Sequence, residues 1–453
     1  MRGFNNSSAL YKDNMMLSLA PALTPEGIDS HPQFFSGDIV DPPVLSRSLL
    51  VLADIVSTRY FNYVPVGLRD PVLSAQGDRL RAEVFSACNG VYARLDLFQE
   101  ALYGDIAFGT TNVDIGIDLR KSLTSIKRGD KLKLHIGEGG MKTFHMQEEI
   151  TRFVVQRPVE MPDRWVRALG NCAGIHKEMK KVFGVEGMSA KNFIATLPPA
   201  SGKERSGWLT YSKTGIKLLQ REGRDSVYIS GLHRLSALKR LMVDVKSIDF
   251  YRQVDREMGG MMIVVGLPGA NVILGLTAKT YEGYSGEGSL LESLSSVEVI
   301  DRADEVSSIL QFEPHVDERY LSCVLRFSPA ELDAALGLLA TYGKLGYDVE
   351  EEAYFHRELP AEPDRVLKDN PRLVGARRLL ETTRHIGGDK WSVGSKDMEY
   401  RVVYDTSKSL SAARCTCAWY LKYKNARGPC KHILAVKMRS EDLYTRGKEH
   451  RKR

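Results

Sequence analysis

One short stretch near the end of the chain limits what this part of the protein can fold into. From Cys415 to His432 the sequence reads CTCAWYLKYKNARGPCKH, which holds three of the six cysteines and one of the ten histidines. The pattern is Cys415-x-Cys417, twelve residues, then Cys430-x-His432. Residues two apart in an extended strand project from the same face, so both thiols of the first pair can reach one ion. The second pair lies at the entrance of a helix that GPCKHILAVKM predicts.

Three thiolates and one imidazole make a filled tetrahedral zinc site, with no position open for water or substrate. The residues Cys415, Cys417, Cys430 and His432 therefore predict one structural Zn²⁺ ion rather than a catalytic one. Binding at such a site contributes about 10–16 kcal/mol in small zinc-finger peptides, enough to fold a segment without its own core. We expect this region to unfold without metal. The alternatives are a chance cluster of core cysteines or a disulfide, although residues 415 and 417 would close a very tight ring.

The order C-x-C, spacer, C-x-H closely resembles the SWIM zinc finger. The strand-like WSVGSKDMEYRVVYD before it and PCKHILAV within it belong to the same resemblance, which covers roughly residues 387–438. It implies two strands followed by a helix, with Cys415, Cys417, Cys430 and His432 as the zinc ligands. SWIM modules occur in bacterial proteins, Mutator-type transposases, chromatin-remodelling ATPases and plant transcription factors, where they are taken to bind DNA or proteins.

Two further segments, YFHRELP and GTTNVDI, are similar to parts of bacterial SWIM-finger proteins. Some of those proteins are encoded beside MoxR-type AAA ATPases and von Willebrand A proteins. This association implies no mechanism, but it provides an alternative function, that of a protein-interaction adaptor working with a MoxR-type AAA ATPase and a von Willebrand A protein.

Cations and aromatic residues alternate around the expected zinc site. Cations can neutralise phosphates and flat rings can stack on bases, which suits single-stranded or distorted nucleic acid. Two alternatives remain open: one tryptophan and one tyrosine fill the core of the finger while the lysines are solvated, or the same surface binds a protein. The candidate binding residues are Lys422, Lys424, Arg427, Lys431, Trp419 and Tyr423, with Tyr420 beside them.

The net charge of +6 is unevenly distributed. Residues 411–453 contain twelve Lys or Arg and three acidic residues, so they carry +9 and residues 1–410 carry −3. A basic end of this kind fits an anionic partner such as nucleic acid, and a solvated, disordered end is the alternative.

The first part of the chain predicts a helix and a hairpin. In DPPVLSRSLLVLADIVSTRYF, Asp41 can cap a helix, Pro42 suits its first turn, and apolar residues recur on one face. We expect this helix to pack on a sheet. RLRAEVFSA and GVYARLDL alternate as strands do around Asn89 and Gly90, which predicts a β-hairpin. MMIVVG and NVILGLT predict a second hairpin around LPGA.

An internal similarity links the two parts of the body. VDIGIDLRKSLTSIKR and VYISGLHRLSALKR align at an offset of 112 residues, and each precedes predicted strands. Two such copies predict a duplicated α+β body. The first copy, GIDLRKSLTSIKRGDKLKLHIGEGG, resembles sliding-clamp (PCNA-like) domains, in which a short helix precedes a strand pair. A generic α+β domain is the alternative.

The composition changes beyond residue 300. FSPAELDAALGLLATYGKLGYD predicts a helix with a capping box of Ser328 and Glu331, and NPRLVGARRLLETTR predicts a second helix. Together they predict a small helical unit, for which a winged helix is one candidate. The predicted fold class is multidomain α+β, in five parts: an α+β domain with antiparallel hairpins at 1–155, a second α+β domain at 156–310, a helical linker domain at 311–384, the SWIM zinc finger at 385–440 and a basic tail at 441–453.

The length of 453 residues and the ordinary composition, 43% hydrophobic and 26% charged, predict a soluble protein of several domains. The other cysteines, Cys88, Cys172 and Cys323, are scattered singly, which favours a reducing cytoplasm over a disulfide framework. No H-E-x-x-H or G-x-S-x-G pattern occurs. We therefore predict a non-enzymatic zinc protein whose finger and basic tail bind nucleic acid or a partner protein. An enzyme that uses the finger to reach its substrate is a further alternative.

Overall fold

The computed structural model describes most of the chain, namely residues 3–4, 7–65, 70–137, 157–158, 163–213, 215–254, 258–286, 297–358, 371–395, 398–406, 408, 410–425 and 428–451. The fold is mixed α and β, as the sequence predicts. Within these residues no helix is long and apolar enough to cross a lipid bilayer.

A ten-stranded antiparallel sheet forms the centre of the body. Near its middle, Val91–Phe98 pairs with Ala270–Leu276, and these two strands are far apart in sequence. The sheet therefore unites the two parts of the body. From edge to edge its strands are β16 (Met179–Glu186), β20 (Ser247–Gln253), β21 (Met261–Leu267), β22 (Ala270–Leu276), β11 (Val91–Phe98), β10 (Arg79–Phe85), β9 (Val72–Gln76), β13 (Phe108–Asn112), β4 (Ala22–Thr24) and β5 (Gly27–Asp29).

Smaller sheets surround this one. A five-stranded sheet has the order β12 (Leu102–Tyr103), β6 (Gln33–Ile39), β14 (Lys133–Gly137), β3 (Asn14–Leu17) and β2 (Ala9–Tyr11). A three-stranded sheet has the order β18 (Gly215–Leu219), β17 (Gly207–Ser212) and β19 (Ser226–Ile229). Three strand pairs are β1 (Gly3–Phe4) with β15 (Arg157–Pro158), β7 (Thr58–Arg59) with β8 (Val64–Pro65), and β23 (Leu345–Asp348) with β24 (Ala353–His356). The C-terminal sheet has the order β25 (Thr383–Gly387), β26 (Lys390–Ser395), β27 (Met398–Val403) and β28 (Arg414–Cys415).

The described α-helices are α1 (Pro42–Val56), α2 (Ile117–Leu123), α3 (Asp163–Lys177), α4 (Gly187–Thr196), α5 (Val297–Ser307), α6 (Glu318–Leu325), α7 (Pro329–Thr341), α8 (Pro371–Arg377), α9 (Ala418–Tyr423) and α10 (Lys431–Arg451). Short 3₁₀ helices span Gln99–Ala101, Leu232–Leu241, Tyr284–Gly286 and Leu410–Ala412. The predicted basic tail thus continues α10 as helical backbone up to Arg451.

Local sequence chemistry explains the start of α1. The Asp41 side chain accepts a hydrogen bond from the Val44 N–H at 3.3 Å, and prolines occupy the first helical positions. The helix packs on β10 and β11, which confirms the predicted contact with a sheet. It is buried almost all around, because α2 and the 3₁₀ helix Leu232–Leu241 cover its other side.

Both predicted hairpins are confirmed. β10 pairs with β11 from Arg79 opposite Phe98 to Phe85 opposite Tyr92, and β21 pairs with β22. Asn89 adopts the left-handed conformation (φ 61°) that the turn between β10 and β11 requires. The aligned residues of the two predicted copies differ in secondary structure, since Ile229 lies in β19 whereas Ile117 opens helix α2. The second strand predicted after α2 lies outside the described residues, and the duplication stays a prediction.

The polar residues of β10 and β11 are buried rather than exposed. Arg81 and Arg94 donate to the same Asp348 oxygen at 2.8 and 2.7 Å, and their guanidinium carbons lie 4.1 and 5.3 Å from the Phe355 ring centroid. Burial opposes the charge on Asp348, but Arg94 and Arg81 outweigh it and hold the pKa of Asp348 below its usual range. The β23–β24 hairpin is therefore attached to the sheet by buried ion pairs.

The predicted helix with a capping box is α7. The Ser328 hydroxyl accepts from the Glu331 N–H, and the Glu331 carboxylate accepts from the Ser328 N–H at 2.9 Å. α7 packs against α3 and α5. The contacts of Asp348 with β10 and β11 cross the predicted boundary at residue 310, and the domain boundaries remain predictions.

Candidate metal centre

The C-terminal sheet and two helices bring the four predicted ligands together. Cys415 ends β28, where it lies opposite Val402 of β27. Cys417 follows in extended backbone (φ −75°, ψ 157°) and caps α9, its sulfur accepting from the Tyr420 N–H at 3.5 Å. Cys430 precedes α10, whose Leu434 N–H donates to the Cys430 carbonyl at 3.1 Å, and His432 is the second residue of that helix.

The donor atoms have the spacing of a tetrahedral zinc site. All four lie within 4.8 Å of one another, and all four residues are buried. His432 Nδ1 lies 3.8 Å from the Cys415 sulfur and 4.0 Å from the Cys430 sulfur. Zinc–sulfur and zinc–nitrogen bonds of about 2.3 and 2.0 Å place tetrahedral donors roughly 3.5–3.8 Å apart. The cluster therefore needs only a small contraction to bind one ion, and Cys415, Cys417, Cys430 and His432 are positioned to do so.

The orientation of His432 selects its donor nitrogen. Its ring stacks on Tyr400, with centroids 4.1 Å apart and planes 23° apart, so Nδ1 faces the thiols. Nε2 is buried and makes no hydrogen bond to any described residue. Binding through Nδ1 would leave the ring proton on Nε2.

The three thiols interact strongly with one another. Hydrogen bonding to Cys417 and Cys430 raises the pKa of Cys415, while the hydrogen bonds that Cys417 accepts from Cys415 and Cys430 lower the pKa of Cys417. Three thiolates at this distance would repel one another. A divalent cation removes this conflict, because it stabilises all three deprotonated sulfurs together.

The segment around the site is larger than a minimal finger. The hairpin β26–β27 and helix α10 supply the predicted two strands and helix, and β25, β28 and α9 are added to them. A set of apolar residues lies buried beneath the ligands: Trp391, Val393, Val402, Tyr404, Leu410, Ile433, Leu434 and Val436. The expectation that this segment has no core of its own is therefore wrong, because sheet and helix bury these side chains against one another.

The candidate binding residues fall into two groups. Lys422 and Lys424 are exposed on or just after α9, with Nζ 4.9 Å from the Tyr423 ring centroid and 5.4 Å from the Tyr420 ring centroid respectively. Lys431 is half-buried, and its side chain lies close to Gly375. Arg427 lies outside the described residues.

Trp419 is used within the finger. Its Nε1 donates to the Gly428 carbonyl at 3.3 Å, the Arg372 guanidinium lies 4.6 Å from its ring centroid, and the Tyr423 ring centroid lies at 4.6 Å. These contacts occupy the indole, so Trp419 serves to pack α9 on the rest of the finger.

Helix α9 also faces the body. Lys422 and Tyr423 line a cavity of about 220 Å³ together with Lys279, Glu282 and Tyr284. The sequence did not indicate this cavity, because the two sides of it are separated by more than one hundred residues and no local pattern connects them.

A second cysteine–histidine pair lies inside the body. The Cys172 sulfur is 3.1 Å from His176 Nε2 on α3, and both residues are buried. Burial, aided by Arg94 and Arg357, lowers the pKa of His176 to about 3, and burial raises the pKa of Cys172 well above its usual value. Both groups are therefore neutral near pH 7, which is the state of a structural pair and not of an activated thiolate.

Comparison with known proteins agrees with the sequence and the geometry. Residues 400–440 match the family model of the SWIM zinc finger, and this range contains all four ligands. A search of curated proteins found no match. Two of the similar solved structures are PCNA proteins. PCNA from Entamoeba histolytica is 10% identical with a TM-score of 0.33 and covers 54% of this chain and 99% of its own. The PCNA2–PCNA3 complex from Sulfolobus tokodaii is 8% identical with a TM-score of 0.33 and covers 53% of this chain and 98% of its own. The chain is a zinc-binding protein whose residues 400–440 match the SWIM zinc finger.

Proposed function

We propose that the finger binds single-stranded nucleic acid through the surface that helix α9 presents. The observation that carries this proposal is the position of Lys422 and Lys424, two exposed cations on either side of Tyr423. Lysines neutralise phosphates, and tyrosine rings stack on bases without regard to sequence. The proposal places the protein in a reducing cytoplasm, where its thiolate ligands stay reduced.

Zinc has a structural part in this function. Helix α9 is only six residues long, and helices of this length are not stable on their own. The ligand Cys417 is the N-cap of this helix, and the second pair of ligands, Cys430 and His432, follows the helix in sequence. Closing the metal site therefore fixes both ends of the loop that carries the two lysines.

The test is the salt dependence of binding to a fluorescent single-stranded oligonucleotide, measured by anisotropy on the full chain with zinc bound. Loss of two phosphate contacts in the double variant Lys422→Ala with Lys424→Ala should reduce the slope of log K against log salt by about 1.4. Lys213→Ala with Lys217→Ala is the matched control, because it removes two exposed lysines from the β17–β18 hairpin instead. Its slope should equal that of the unchanged protein.

Two results would overturn the proposal. In the first, the wild-type protein does not bind the single-stranded oligonucleotide. In the second, it binds, but neither the salt concentration nor the two substitutions change the affinity. In either case the adaptor function takes its place, and pull-down with a MoxR-type AAA ATPase or a von Willebrand A protein becomes the next measurement.

A further inference from the structure

A row of aromatic and cationic side chains runs from the finger onto the body. Lys422 and Tyr423 form its finger end, and Lys279, Tyr281 and Phe61 form its body end; we call these five residues the composite strip. Lys279 and Tyr423 line the same cavity, so the two ends meet there. The sequence separates these parts widely, and the fold alone brings them together.

The body end has the same chemistry as the finger end. Lys279 is exposed, and its Nζ lies 5.6 Å from the Tyr281 ring centroid. The Tyr281 ring in turn lies 6.3 Å from the Phe61 ring, edge to face. Tyr281 is 61% exposed and Phe61 37% exposed, so both rings offer surface to a ligand. The hydrogen bond between Lys279 and Tyr281 raises the pKa of Lys279, which keeps this amine charged.

The charge and the size of the cavity favour binding of a polyanion that carries aromatic rings. Two lysines, Lys279 and Lys422, stand on opposite sides of the cavity, and Glu282 is the acidic residue among those that line it. The volume of about 220 Å³ is too small for a folded partner but admits part of a flexible chain. Alternating lysines and rings are the arrangement by which proteins hold single strands through phosphates and stacked bases.

We propose that a single strand bound at the finger continues across this cavity onto Lys279 and Tyr281, so that the body supplies part of the binding site. This inference rests on the proposed function of the finger and extends it, because the ligand would contact both ends of the composite strip. The finger and the body would then each supply one side of the binding site.

The test uses single substitutions at the body end, with a single-stranded oligothymidylate of about 20 nucleotides as the probe. Loss of one stacked base weakens binding by roughly 5- to 150-fold, so Tyr281→Ala should raise Kd by at least about fivefold, while Tyr281→Phe keeps the ring and should bind like the unchanged protein. Lys279→Ala should reduce the salt slope by about 0.7. Tyr211→Ala is the matched control, since Tyr211 is 50% exposed on β17 and lies outside the strip.

The outcomes separate this inference from the function on which it rests. If Tyr281→Ala and Lys279→Ala bind like the unchanged protein while the Lys422 and Lys424 variant binds weakly, the composite strip is refuted and the finger function stands. If the unchanged protein does not bind the probe, both are refuted. Zinc content, measured on every variant, should equal one ion per chain, which excludes unfolding of the finger as the cause of weaker binding.

Discussion

Replacing Cys417 by serine tests the metal site without removing the helix cap. Cys417 has two roles, because its sulfur is a ligand and also accepts the Tyr420 N–H at the start of α9. Serine is one of the preferred cap residues, so Cys417→Ser keeps the second role and loses the first. Any effect of this substitution therefore reports on the zinc bond.

The size of the effect follows from four ligands that share one ion. Zinc binding to a structural site is worth about 10–16 kcal/mol, or roughly 2.5–4 kcal/mol for each of four ligands. Loss of one thiolate should therefore weaken zinc binding by about two to three orders of magnitude. Competition with a chromogenic chelator measures this affinity, and Cys323→Ser is the control because Cys323 is an exposed free cysteine on α6.

Hydrogen exchange shows where the weakened site opens. The amides of α9 should lose protection in Cys417→Ser, since none of the residues of this helix is fully buried. The strands β26 and β27 should stay protected, because Trp391, Val393 and Val402 are buried between the sheet and α10. The reasoning would be refuted by a variant that binds zinc as tightly as the unchanged protein, or by equal loss of protection in α9 and in both strands.

Two predictions concern the body. His176 is held neutral, with its pKa lowered to about 3, so the unfolded chain takes up a proton first as the pH falls below 6.5. Between pH 7 and pH 4.5 this group should lower the unfolding free energy by about 2.5 kcal/mol, and urea titrations of His176→Gln should not show this loss. Asp348→Asn removes the shared partner of Arg81 and Arg94 and should lower the unfolding free energy by about 3–5 kcal/mol at pH 7 in the same assay. A loss below about 1 kcal/mol would show that Asp96, which also contacts both arginines, is a sufficient partner.

Features that depend on neighbouring residues could be predicted from the sequence. The four ligands lie in two pairs, each with a single residue between its members, and the caps of α1 and α7 are completed within three residues. The burial of Arg81 could not be predicted. Polar and apolar residues alternate along β10, and this pattern is typical of a strand with one polar face. Asp348 and Phe355, more than two hundred residues later, cover that face. Long-range pairing of this kind leaves no local pattern.

The position of the twelve-residue spacer links the metal to the body. A spacer between two ligand pairs is closed at both ends when the ion binds, so its middle has to project away from the site. Helix α9 occupies this projecting part. Trp419 and Tyr423 lie beside each other one turn apart; Trp419 also contacts Arg372, and Tyr423 also lines the cavity beside Lys279. Trp419 and Tyr423 are one turn apart, so neither side chain can be reoriented without unwinding α9. The contact of Trp419 with Arg372 and the position of Tyr423 at the cavity are therefore fixed together. We therefore expect zinc binding to fix which side chains the finger presents to the body, although no ligand of the ion lines the cavity.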